Sequence, residues 1–155
     1  MKSILILTLL LSVTLFSKEL QIKANSFNAD EATGVSVFDG NVNIIKYHDE
    51  LNASNVTIYT DKKNQPTKFV AVGNVSFVVE TEQGALYRGK AQKVIYLPNE
   101  KEYHFFKNVH LKQINEKKEI IGDKVVLKTV EGKAYAEGLK SEPVIMIFKI
   151  KEEEK

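Results

Sequence analysis

The stretch GALYRGKA, residues 84 to 91, spaces Gly84, Gly89 and Lys90 as a phosphate-cradling loop would. Ala91 stands where such a loop needs a magnesium-binding hydroxyl, and the stretch lies between two strand-like patterns. Without a helix opening at that point, the aligned amides and dipole that hold a phosphate are missing. His48, His104 and His110 fall in a turn and on separate strand patterns, with no spacing suited to zinc, and are expected at the surface. The acidic pairs Asp30-Glu31 and Asp49-Glu50 fall at expected turn tips, where carboxylates stay solvated and do not serve as buried acids. No nucleophile elbow or Ser, His and Asp arrangement is legible. The chain has no cysteine, which excludes a thiolate, a disulfide and a lipidated amino-terminal cysteine. These residues describe a protein that is not an enzyme and uses no cofactor and no metal.

Charge excludes a further class. The 22 basic and 20 acidic residues are interspersed, and Arg88 is the only arginine, so no nucleic-acid footprint is written here. Residues 1–17 read as a secretory signal peptide: Lys2 precedes a mostly apolar run from Ile4 to Phe16, shorter than the roughly 20 residues a membrane span requires. Cleavage is expected after Ser17, although Leu15 is bulkier than the residue usual at that place, and an uncleaved anchor is the alternative. Some 138 residues then remain, enough to hold a fold together by apolar burial alone. Asn52 begins an Asn-Ala-Ser glycosylation triplet.

What must position any site is a repeat. FDGNV (38–42), AVGNV (71–75) and FFKNV (105–109) recur at intervals of 33 and 34 residues, each opening a run of alternating apolar and polar residues. A second phrase is interleaved: ASNVTIY (53–59), GKAQKVIY (89–96) and GDKVVLK (122–128). Worn copies are visible near Ala24 and near Gly138. Period-two alternation in runs of five to eight residues between turn signals, with no helical periodicity, predicts an all-β chain of short strands. A repeat of this length marks a strand pair that cannot bury its apolar face alone and must stack on its neighbours. The glycine of the phrase suits a bulge or corner, but Lys107 holds that place in the third copy and puts a strict left-handed conformation there in doubt. Alternation sends Val42, Ile44, Val56, Ile58, Val75, Phe77, Val94, Tyr96, Val109, Leu111, Val125 and Leu127 to one apolar inner face. Alternation alone favours a filled sandwich core that binds nothing.

The signal peptide, VFDGNVNI, LNASNVTIY, YRGKAQKVIYLPNEKEYHFFKNVHLKQ and IIGDKVVLKTVEGKAYAEG, in this order, resemble the OstA-like, LptA-type family of periplasmic lipopolysaccharide (LPS) transport proteins, from Leu20 to about Ile147. The resemblance implies a twisted, open β-jellyroll over residues 18–149, followed by a charged tail at 150–155. It implies a periplasmic bridge that carries LPS, held by its lipid A, from an inner-membrane transporter with an LptC-like jellyroll to an outer-membrane barrel with an LptD-like one. Copies would add head to tail through edge strands at 20–23 and 144–149. Because such a family leaves the interior open for acyl chains, the inner set together with Leu20, Ile22 and Phe69 becomes the expected lipid contact. Lys46, Arg88, Lys90 and Lys112 are candidates for the lipid's phosphates. An acyl chain of about a dozen methylenes gains roughly 10 kcal/mol on leaving water. It arrives from another hydrocarbon, so its net transfer into the groove is near zero. Two alternatives stay open: an LptC-like adaptor tethered by residues 1–17, and a secreted structural repeat protein that binds no lipid.

Overall fold

The computed structural model describes residues 19–152; the expected signal peptide and the last three residues of the charged tail lie outside them. Ten antiparallel strands form one open sheet: β1 (Gln21–Lys23), β2 (Ser26–Asp30), β3 (Val35–Lys46), β4 (Asp49–Thr60), β5 (Pro66–Glu80), β6 (Leu86–Leu97), β7 (Glu102–Gln113), β8 (Lys118–Lys128), β9 (Lys133–Glu137) and β10 (Ile145–Phe148). The order is β1-β3-β4-β5-β6-β7-β8-β10, with β2 also on β3 and β9 also on β8. Each edge is thus two short strands in series along one long neighbour. These edges are the two worn copies of the repeat.

The long strands are 11 to 15 residues, not the five to eight that the turn signals suggest, because the repeated phrase bends a strand without ending it. Between Asp39 and Val42 on β3, between Val72 and Val75 on β5 and between Phe106 and Val109 on β7 the register shifts, and the ladder then resumes. Two residues at each point face one on the next strand, which is the geometry of a bulge. Both take positive φ: Gly40 (80°) with Asn41 (47°), Gly73 (88°) with Asn74 (44°), and Lys107 (62°) with Asn108 (50°). Lys107 therefore does adopt the left-handed conformation that its side chain put in doubt. Asparagine tolerates that region because its short amide bonds locally, whereas an ordinary side chain crowds the following carbonyl.

The corners divide every long strand into two segments, and the segments form two leaves. Leaf one contains 35–39, 55–60, 66–72, 93–97, 102–106 and 124–128 with β2 and β9; leaf two contains 42–46, 49–52, 75–80, 86–90, 109–113 and 118–122 with β1 and β10. The leaves fold face to face: the ring of Phe77 on leaf two stacks on that of Phe105 on leaf one, 4.2 Å between centroids. The core is deepest along the crease. Val42, Val75 and Val109 from the first phrase and Val56, Val94 and Val125 from the second are each no more than 1% exposed. Phe77 lies opposite Gly89 on β6, where a Cβ would come within 2.7 Å of the ring and 2.1 Å of the His110 carbonyl oxygen.

Lys107 yields a prediction. Relief of a left-handed lysine is worth about 1–2 kcal/mol, and the added chain freedom of glycine offsets roughly 0.5–1 kcal/mol of it. Lys107→Gly is therefore expected to raise stability by up to about 1.5 kcal/mol. A shift of the urea midpoint to higher concentration at constant slope verifies this; a lower midpoint contradicts it.

Candidate functional site: an apolar slit between the leaves

Between the leaves, lined by residues of β3 to β7 and by Leu20 just ahead of β1, lies a cavity of about 570 Å³. The period-two pattern builds it: Ile44 and Leu51 of leaf two face Val56, Phe69 and Val94 of leaf one, with Ala71 leaving room at the base. At its mouth stand Leu20, Lys46 and Asp49 from one leaf, and Pro66, Pro98 and Asn99 from the other. Its size is that of a site for a small molecule or part of a larger one.

Seven of the fifteen residues expected to meet a ligand line this cavity: Leu20, Ile44, Val56, Phe69, Phe77, Val94 and Tyr96. Val42, Ile58, Val75, Val109, Leu111, Val125 and Leu127 are buried in the packed core and do not line it, while Ile22 packs half-buried against that core. Leu51 and Tyr103 also line the cavity and had not been singled out, and Val79, which continues the inward alternation of Val75 and Phe77, lines it too. Tyr103 and Phe105 continue backwards, across the corner, the odd-numbered parity of Val109 and Leu111; that was the signal for them. Of the basic candidates, only Lys46 lines the cavity. Arg88, Lys90 and Lys112 project from the outer surface of leaf two, because their alternate neighbours Gly89 and Leu111 take the inner face.

The main polar feature of the slit is Asp49. It opens β4 instead of capping a solvated turn, as its acidic neighbour had suggested. Its carboxylate accepts the Glu80 backbone N–H at 2.9 Å and, from the opposite leaf, the hydroxyl of Tyr103 at 2.8 Å. Burial is the largest influence on it and pushes its pKa above the ordinary 3.8, against the pull of these two hydrogen bonds and of Lys46. Burial, followed by the charge of Asp49, pushes the Tyr103 phenol well up as well. Lys46 reaches Tyr96 across the slit, Nζ to hydroxyl at 3.5 Å and 5.5 Å from the ring centroid.

The remaining motifs are ordinary strand and turn. The loop-like stretch at 84–91 is a turn glycine followed by β6, an extended strand. Each histidine meets one glutamate: His48 with Glu80, His104 with Glu102 at 3.0 Å, and His110 with Glu119 at 2.9 Å. His104 and His110 occupy the two segments of β7, not separate strands.

A family model described as LptA/(LptD N-terminal domain) LPS transport protein matches residues 21–133. Among solved structures, the chain resembles that of LptH, the LptA homologous periplasmic component of the conserved lipopolysaccharide transport device from Pseudomonas aeruginosa. The TM-score is 0.76 at 16% identity, over 86% of this chain and 96% of that one, a likeness of fold. The fold is thus the open β-jellyroll of that structure. No curated protein matches the sequence.

The buried carboxylate yields a pH prediction. A raised folded pKa means that the native state holds the proton more tightly than the unfolded chain. The stability Asp49 contributes is then full below 3.8 and is lost as pH rises through its folded value. Relative to Asp49→Asn, the wild type is expected to lose thermal stability as pH climbs from about 3 to about 7. Melting both proteins across this range checks it; a flat difference or one of opposite slope refutes it.

Proposed function

The chain belongs to the LptA/LptD N-terminal-domain family of LPS transport proteins, and on that premise we propose that it is a periplasmic bridge component carrying LPS between the two membranes. The acyl chains of lipid A occupy the slit, and the sugars remain outside it. One observation carries the reading: in a chain of this family, an apolar cavity of about 570 Å³ lies open between two leaves instead of being packed shut. Lys46 at its mouth offers a cation to a lipid phosphate.

Transfer from one hydrocarbon environment to another has little net free energy, so the slit guides lipid without trapping it. The work of transport is supplied elsewhere, by the inner-membrane transporter. The bridge is completed by strand addition. β1 and β10 are the terminal strands of the sheet, and an edge carries unpaired amides and carbonyls ready for another strand. One edge receives the LptC-like domain or a further copy of this chain; the other continues towards the LptD-like domain.

Experiments of two kinds test the proposal, the first on the slit and the second on the edge. A photo-crosslinking residue at Phe69 or Tyr96 is expected to capture LPS in cells, while one at Asn43, on the outer face, does not; equal capture at all three rejects a lined slit. Lys46→Glu is expected to weaken lipid A binding, with Arg88→Glu nearly neutral, since only Lys46 lines the cavity. In the second experiment, Ile147→Lys blunts the β10 edge with charge. Concentration-dependent assembly measured by sedimentation is expected to disappear while the circular dichroism of the sheet persists; unchanged assembly rejects the edge contact.

A further inference from the structure

The interior of this jellyroll is two compartments in series, and we propose that lipid passes from the first to the second only when the seam between opposing hairpin turns parts. This inference rests on the lipid-carrying reading above and adds a gate to it. The open compartment ends at a wall of aromatic rings drawn from three strands and both leaves. Phe77 stacks on Phe105 at 4.2 Å, and Tyr96 stacks on Tyr103 at 4.3 Å. The Tyr103 hydroxyl, held by Asp49, pins this wall across the slit at 2.8 Å. Behind it the core is packed: Phe105, Leu111, Val125 and Leu127 are no more than 1% exposed. An acyl chain travelling along the sheet towards the β9–β10 edge meets this wall and, behind it, these buried side chains.

Over the packed compartment the leaves are joined at their rims. The turn at 81–85 ends leaf two, and the turns at 98–101 and 129–132 end leaf one. The Glu82 amide donates across the seam to the Thr129 carbonyl at 3.0 Å, while within leaf one the Thr129 amide donates to the Lys101 carbonyl at 3.1 Å and ties the two receiving turns together. The Gln83 side-chain amide donates to the Val130 carbonyl, and Lys101 pairs with Glu82 at 2.9 Å. At the open compartment the rims stand on either side of the mouth, Lys46 and Asp49 on one and Asp61 and Gln65 on the other, and the bonds that cross it, Lys46 to Tyr96 and Tyr103 to Asp49, join side chains and not turn backbones. The ion pair of the closed seam is half exposed, at 54% and 52%, so water and salt weaken it. A closure made of a few surface bonds over a filled core is suited to opening and resealing.

The chain's lack of cysteine makes a direct test clean. Glu82→Cys with Lys101→Cys, bridged by a short bifunctional thiol reagent, locks the seam. A photo-crosslinker is placed at Tyr96 or at Leu111, and the mature protein is loaded with lipid A. Bridging is expected to leave capture at Tyr96 intact and to lower capture at Leu111 about tenfold or more, because the parted state is sampled only as a minor population of the unbridged protein. Capture at Leu111 that ignores the bridge, or that never occurs without it, overturns the gate. Loss at Tyr96 in both forms overturns the lipid-carrying reading beneath it. A second measurement needs no crosslinker in the core: lipid A is expected to speed hydrogen exchange at the Glu82 amide of the wild type, whose bond crosses the seam, and to leave the Thr129 amide, bonded within leaf one, unchanged. Exchange at Glu82 that is unchanged or slowed overturns the proposal.

Discussion

A strand that is to serve two facing leaves has to turn a corner without giving up its hydrogen-bonded ladder. Here two consecutive left-handed residues do this at β3, β5 and β7, the second of them always asparagine. On β3, β5 and β7 the bulge keeps the parity of the side chains, so residues that face inward before the corner face inward after it: Phe105 precedes Val109 as Phe38 precedes Val42. On β4, β6 and β8, which set one residue against the two of the bulge, the inward parity shifts by one, from Ala53 to Val56, from Ala91 to Val94 and from Ile120 to Val125. Without this matched count one leaf would turn its apolar side to water. Everything else in the molecule, including the valine rows at the crease and the slit between the leaves, depends on this corner.

Whether the space between two apolar leaves is filled or open is decided by the side chains farther from the crease. On the β7–β8 side the inner face offers Phe105, Leu111 and Leu127, which are large enough to meet across the gap. On the β3–β5 side Ala53 and Ala71 recur at the inner face, and the rims stay apart over a cavity. The transition between the two regimes is marked by rings and by one carboxylate. Burying Asp49 carries a desolvation cost that its two hydrogen bonds offset only in part, and its raised pKa records this. A carboxylate tolerated at that place ties the leaves together while leaving the space in front of it accessible.

The repeat, the all-β class and the inward set were legible in the sequence because each rests on period-two alternation and on a phrase written three times. What was misread has local causes. Asp49 and Leu51 were hidden because four consecutive residues, 47–50, read as turn, whereas two suffice and the strand begins at Asp49. Lys107 looked unfit for a left-handed corner because its side chain, taken singly, disfavours it; the asparagine after it and the ladders on both sides override that preference. Arg88 and Lys90 were placed by charge and not by parity, although Gly89 between them, facing Phe77, fixes them on the outer surface. The division of the interior was not legible at all. It depends on distances between leaves, which no alternation pattern encodes.

The worn copies of the repeat carry their own argument. A terminal strand that ends a monomeric sheet is ordinarily short, charged or twisted away, since an apolar edge invites another chain. β10 is short, yet Ile145, Met146, Ile147 and Phe148 are between 42% and 54% exposed, apolar residues on both of its faces. At the other end Phe27 is 67% exposed and stacks on Phe38, which itself packs against the core, so the inner apolar face runs out to the edge without a polar cap. Water-facing ends would select against both features. Both features fit the edge pairing proposed above, in which a neighbouring leaf extends the same inner face. The repeat degenerates at the ends in its phrase and not in its hydrophobicity.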